Sequence, residues 1–328
     1  MGITADTTAD VSPQDLGADH DDGTGATNGD AVGSGSLEGL RSWIANQIRD
    51  RVIGDRAEER SRELFEAPGE RWFEPDAAIR RVHADASMFI GGMRALLLQS
   101  LHPLAMAGVA EHSDYRGDPW GRLQRTADFL AATTFGPATE AQGAVDMVKA
   151  VHARVRGTAA DGREYSADDP HLLRWVHVAE VDSFLAAHDR YGQHRLSDVE
   201  RDEYVASMAV VARALGVPAP PESVEGLRIQ LRAFRPELAS SPQAREAARY
   251  LLLQPPMPLA GRPAYSVIAA AAVALLPMWA RLPLRLPYLP VTEAVAVRPV
   301  GDALTRLLRW AMAPESAAQR HLDELAVH

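Results

Sequence analysis

Apolar residues recur at three- and four-residue intervals over most of the chain, and no long stretch alternates strictly between apolar and polar. That periodicity predicts an all-α protein. A stripe of Leu37, Leu40, Trp43, Ile44 and Ile48 marks a helix from Ser36. Pro75 opens a long one carrying Ile79, Val82, Ala86, Phe89, Met93, Leu96 and Leu97. A short helix runs from Pro103 to Ala110. The next has Asp118 as N-cap and Pro119 at its first position, and stops at Gly136-Pro137. Its inward face is expected at Leu123, Ala127 and Leu130. Thr139 with Gln142 has capping-box spacing and opens a helix expected to reach Gly157. Asp169-Pro170 opens another, to Tyr191 and Gly192. Ser197 with Glu200, and Ser241 with Pro242, start helices near 198–215 and 242–253, with one between at 222–235. A last helix is expected at 301–313.

The most apolar run is AYSVIAAAAVALLPMWA at 264–280. It is shorter than the ~20 residues a membrane span needs, and Pro277 interrupts it. A buried core helix is the expectation. The RLPLRLPYLP that follows reads either as an extended segment over the core or as a peripheral membrane contact. Residues 1–35 hold seven aspartates and no lysine or arginine, without an apolar core of a signal segment. They are expected to be a disordered acidic tail ahead of one domain at 36–320. With Glu38 the tail carries eight of the ten net negative charges. That balance argues against a nucleic-acid partner. The chain has no cysteine, which excludes disulfides, thiolate-ligated haem and cysteine-held iron–sulfur clusters. The location expected is cytoplasmic, with room for membrane association.

Several residues carry possible chemistry. Arg122, Arg125 and Thr126 stand at i, i+3 and i+4 and share a helix face. They are either a solvated face or a site for an anionic group, which guanidinium forks suit. His152 falls within the apolar stripe Ala141, Val145, Val148, His152 and Val155. A histidine there is either a hydrogen-bonded core residue or a neutral imidazole available to iron. Gly91-Gly92, mid-helix, admits a crossing helix or a flat group such as a porphyrin. His102 and His112 flank a short helix, His112 on the loop beyond it with Asp114 and Tyr115. His177 and Glu180, one turn apart, suggest a paired hydrogen bond in the core or part of a site.

Taken together, His102-Pro103 through AEHSDYRGDP, the R-x-x-R-T of Arg122 to Thr126, the H-x-x-V-R-G of His152 to Gly157, and DDPHLLRWVH at 168–177 resemble one family. It is the MpaB-type oxygenase family, which includes the rubber oxygenases (latex clearing proteins) and a fungal oxygenase of mycophenolic acid synthesis. The resemblance covers roughly residues 70–310. It implies an all-helical, globin-like fold and, as in the rubber-cleaving members, a haem b. It places the proximal iron ligand on His152 and the distal arginine and threonine on Arg122 and Thr126. It also puts the His102 segment near the pocket, where Gly91 and Gly92, on their porphyrin reading, would be further cofactor contacts. The family's lysine is Arg125 here, and arginine stays charged and is a poor iron ligand. Rubber cleavage itself therefore does not carry over.

The function expected is a haem-dependent oxidoreductase that activates dioxygen on an apolar or mixed small molecule. A carboxylate-bridged di-iron bundle would need two Glu-x-x-His pairs, and none is present. A helical carrier of an apolar ligand or haem, without chemistry, is the alternative from another class.

Overall fold

The computed structural model describes Leu64 and residues 67–113, 117–254 and 257–313. Among them the regular structure is helical apart from one two-stranded ribbon and a single bridge between Arg71 and Pro137. The all-α class follows the periodicity. The tail expected at 1–35 and the helix expected from Ser36 lie outside the described residues.

The long helix expected from Pro75 is two, α1 (Ala78–His83) and α2 (Met88–Gln99). Asp85 breaks it. Its carboxylate accepts the Ser87 N–H at 2.8 Å and the Gln193 N–H at 3.1 Å, and receives Arg309 Nε at 2.8 Å. An aspartate that bonds its own backbone competes with the helix; here two distant segments reinforce that competition. α3 (Pro103–His112) follows, with His112 as its last residue rather than on the loop.

α4 (Pro119–Phe135) is capped as expected, Asp118 accepting the Gly121 N–H at 2.9 Å. Its expected inward face is met in part: Leu130 packs against the core and Ala127 is half-buried, but Leu123 is 39% exposed, whereas Ala132, Thr133 and Thr134 are buried. The turn at Gly136-Pro137 returns the chain into α5 (Ala138–His152), and the two helices pack as a hairpin. The expected Thr139–Gln142 capping box is not formed. The helix begins two residues earlier because the Ala138 N–H donates to the Glu70 carbonyl at 2.7 Å, while Gln142 bonds Asp146 at 2.9 Å. A tertiary acceptor has replaced the local cap.

α5 ends at His152, not at Gly157. The residues expected as its last turn form β1 (Arg156–Thr158), paired antiparallel with β2 (Glu164–Ser166). Gly157 faces Tyr165 in that ribbon, and a Cβ there would lie 2.7 Å from Tyr165 Cζ. The missing side chain is what lets the ring lie across the strand.

α6 (Pro170–Tyr191) is the central helix, capped by Asp169, whose carboxylate accepts the His171 N–H at 2.7 Å. α2 crosses it at Gly91, where a Cβ would come 2.9 Å from Phe184 Cδ1 and 3.2 Å from its Cα. Trp175 is fully buried and donates its indole N–H to the Gln99 carbonyl at 3.1 Å. α7 (Asp198–Leu215) carries the expected capping box of Ser197 and Glu200. α8 (Val224–Phe234) and α9 (Pro242–Leu253) complete this side.

The apolar run at 264–280 divides into α10 (Arg262–Leu275) and α11 (Met278–Leu284), bent by 120° across Pro277. Its burial is partial. Ala269, Ala271, Ala272, Leu276 and Ala280 are buried, and the rest is half-buried or exposed. No single helix among the described residues is long and apolar enough to cross a membrane. Leu282, Tyr288 and Leu289 of the Pro-rich segment are exposed. α12 (Arg298–Met312) begins earlier than expected and is entered through a π-helical turn at Glu293–Val297.

Candidate functional site

The hairpin of α4 and α5 brings two sequence-distant candidates to one end. Because the helices run in opposite directions, Arg122, near the start of α4, is level with His152 at the close of α5. Arg122 is half-buried and donates to Ser113 Oγ at 3.0 Å. Thr126 is exposed, and its hydroxyl donates to the Arg122 carbonyl at 3.0 Å, closing a bond one turn back. Arg125 points to solvent with its side chain 70% exposed and pairs with Asp118 at 3.2 Å. It closes its own helix's N-terminal turn.

His152 is half-buried, and its ring makes no hydrogen bond among the described residues. Burial lowers its pKa, and the nearby Asp168 charge opposes that only in part. The imidazole is therefore neutral over a wider pH range than a free histidine, with its nitrogens unengaged. That is the state a metal ligand needs. Met147 and Val151 of α5 and Leu123 of α4 are exposed apolar side chains on the same hairpin. The hairpin thus carries an unengaged neutral imidazole, exposed apolar side chains and a guanidinium, the kinds of group that an iron-bearing macrocycle would use.

The other candidates have surroundings of their own. Gly91 is taken up by the α2–α6 crossing, whereas a Cβ on Gly92 would meet no atom within 4 Å. His102 is buried at the N-terminus of α3, beside Trp175, His171 and Glu237. Helix α3 packs against Tyr165 of the ribbon through Ala107 and Gly108, and at its C-terminal end His112 Nε2 lies 3.1 Å from Tyr165 Oη. His177 and Glu180 are not hydrogen-bonded to each other, and His177 Nε2 is buried without a partner.

The interior also holds a polar group that periodicity alone did not single out. His83 Nδ1 lies 2.7 Å from Thr134 Oγ1, and Tyr204 Oη lies 3.5 Å from His83 Nε2. Burial pushes the His83 pKa down to about 3 and that of His177 to about 4. Burial also pushes the Glu180 carboxyl up to about 7. His83 sits between apolar residues in the sequence and gives no motif, so only packing against α4 and α7 reveals it.

Glu180 has a testable consequence. Its folded pKa lies above its ordinary value of 4.5, so the folded state binds the extra proton between those values. Stability from this group is full below about 4.5 and declines as pH rises towards 7. Glu180→Gln is expected to unfold at a higher urea concentration than the parent at pH 8, and to match it at pH 4. Equal shifts at both pH values would show that the carboxyl is not titrating as assigned.

An all-helical protein with an available imidazole on a helical hairpin is the class that fold and site define. The chain belongs to the family described as ER-bound oxygenase mpaB/B'/Rubber oxygenase, catalytic domain, whose sequence model matches residues 80–311. The match contains the hairpin, α6 and everything through most of α12. No curated protein and no solved structure matches the chain. Membership in a family of oxygenase catalytic domains supports an oxidoreductase.

Proposed function

We propose that the protein is a haem b-dependent oxygenase acting on an apolar or mixed small molecule with dioxygen as co-substrate. The observation that carries this reading is His152: half-buried, neutral, without a hydrogen-bond partner, and level with Arg122 across the hairpin. His152 would hold the iron on one side. The bound group would supply redox-active iron for dioxygen chemistry. The chain's own contribution is electrostatic and steric. Arg122 offers a permanent positive charge to an anionic group or to developing negative charge on oxygen. Thr126 offers a hydroxyl one turn away, once it exchanges its backbone bond. Arg125 adds charge without ligating metal, because guanidinium does not give up its proton. Leu123, Met147 and Val151 offer apolar contact to a macrocycle or substrate.

The test is reconstitution of the purified protein with haem. A Soret band at one haem per chain is expected. Its absence after reconstitution would favour a helical carrier without redox chemistry.

A further inference from the structure

The second cluster of potential ligands lies where the N-termini of α3 and α6 meet the turn after α8. His102, His171 and Glu237 each direct one ligand atom inward, all within 4.8 Å of one another. His171 Nε2 is 2.7 Å from Glu237 Oε2, and His102 Nε2 is 3.6 Å from the same oxygen. His102 is only 2% exposed, and its Nε2 is buried with no hydrogen-bond partner. A buried nitrogen without a partner carries a free-energy cost that a ligand would remove.

We propose that His102, His171 and Glu237 bind a divalent first-row transition-metal cation, at a site distinct from the haem site proposed at His152. Two imidazoles and one carboxylate are a donor set for zinc or ferrous iron, and three protein ligands leave a further position for water. The spacing suits it, since ligand atoms about 2 Å from one ion lie a little over 3 Å apart. The 2.7 Å pair needs to open by a few tenths of an ångström. His171 and Glu237 are half-exposed side chains and can do so. The buried His102 is the fixed member.

The rings are held from behind. Phe234 packs against His171 with centroids 4.7 Å apart and the rings tilted by 39°, and Trp175 lies 5.3 Å from Phe234 and 6.3 Å from His102. This aromatic wall orients both imidazoles before any ion arrives, which lowers the ordering cost of binding. Two features oppose a cation, and both are offset. The helix N-termini are partially positive, but the Glu237 carboxylate lies between them. Arg163 faces the cluster, yet it is engaged by Asp161 at 2.7 Å. Binding through Nε2 requires the His102 proton on Nδ1, so the site gives up only the long 3.5 Å contact from the Ala105 N–H.

The probe is Zn2+, titrated calorimetrically into the full-length protein after chelator treatment, with Co2+ as an absorbing substitute. One equivalent is expected to bind. His171→Ala and Glu237→Gln should each weaken it by at least ~10-fold. Both positions are exposed, and an unchanged melting temperature in chelator checks that the variants fold. Parent and variants should take up haem equally, so a failure of the haem reading and a failure of this one are separable. No uptake by the parent, equal uptake by the variants, or loss of zinc binding in His152→Ala instead would each overturn the proposal.

Discussion

His152→Ala is expected to lose haem almost completely while retaining its helical content. The ring is half-buried at the end of α5 and takes part in no hydrogen bond among the described residues. Its removal therefore costs the fold some packing and no buried polar partner, in the range of about 1 kcal/mol or less for a partly exposed position. Haem affinity in the proposed site rests on the iron–imidazole bond, which alanine cannot replace. Haem per chain, read from the Soret band after gel filtration, is the measurement. Arg122→Ala gives the contrast: haem content largely kept and turnover lowered, because the guanidinium acts on charge and does not anchor the group. A His152→Ala variant with full haem and an unchanged spectrum would refute the assignment. Burial lowers the His152 pKa, so the ring stays neutral below its ordinary 6.5. Haem retention should accordingly persist into mildly acidic solution and fail only where the imidazole is protonated.

Arg281→Leu is the other large effect, and it bears on stability. Arg281 is 3% exposed and lies under the 120° bend between α10 and α11. Its guanidinium reaches the Leu276 carbonyl at 2.7 Å, the Ala274 carbonyl at 2.6 Å and Glu293 Oε1 at 2.6 Å. The arginine thus closes the C-terminal carbonyls of α10 that the proline-broken run leaves open. It also neutralises a carboxylate at the entry to the π-helical turn. Removing it alone leaves a buried charge uncompensated, a loss of about 3–5 kcal/mol. The double change Arg281→Leu with Glu293→Leu should recover much of that loss. Urea midpoints of the parent and the two variants decide; a loss below about 1 kcal/mol in Arg281→Leu alone would contradict the geometry. Burial raises the Glu293 pKa, but the hydrogen bonds from Arg281 and the Leu289 N–H outweigh it and hold it below 4.5. The pair's contribution is therefore present above about pH 4.5 and lost as pH falls further through the folded value.

Helix class and most helix starts were determined by the sequence alone. Asp118, Asp169, Ser197 and Ser241 each accept backbone N–H groups at the start of the helix they were expected to open. A side-chain cap acts within three residues, so the residues concerned are adjacent in the chain and the reading is local. The family resemblance was legible for the same reason, since its motifs are short runs.

Tertiary structure decided what local signals could not. Asp85 divided one expected helix because Arg309 and Gln193, more than a hundred residues away, bind its carboxylate. Glu70 moved the start of α5, and pairing with β2 converted its expected last turn into a strand. The periodicity of α5 put His152 on the apolar stripe, but its neutrality and free ring depend on neighbours the stripe does not specify. Arg125 and Thr126, equal to Arg122 in spacing, are exposed where Arg122 is half-buried. Glu237 had no signal at all: one exposed glutamate becomes a possible ligand only when α3, α6 and the turn after α8 converge on it. Spacing along a helix fixes which side chains share a face; what that face meets is set by contacts between residues far apart in the chain.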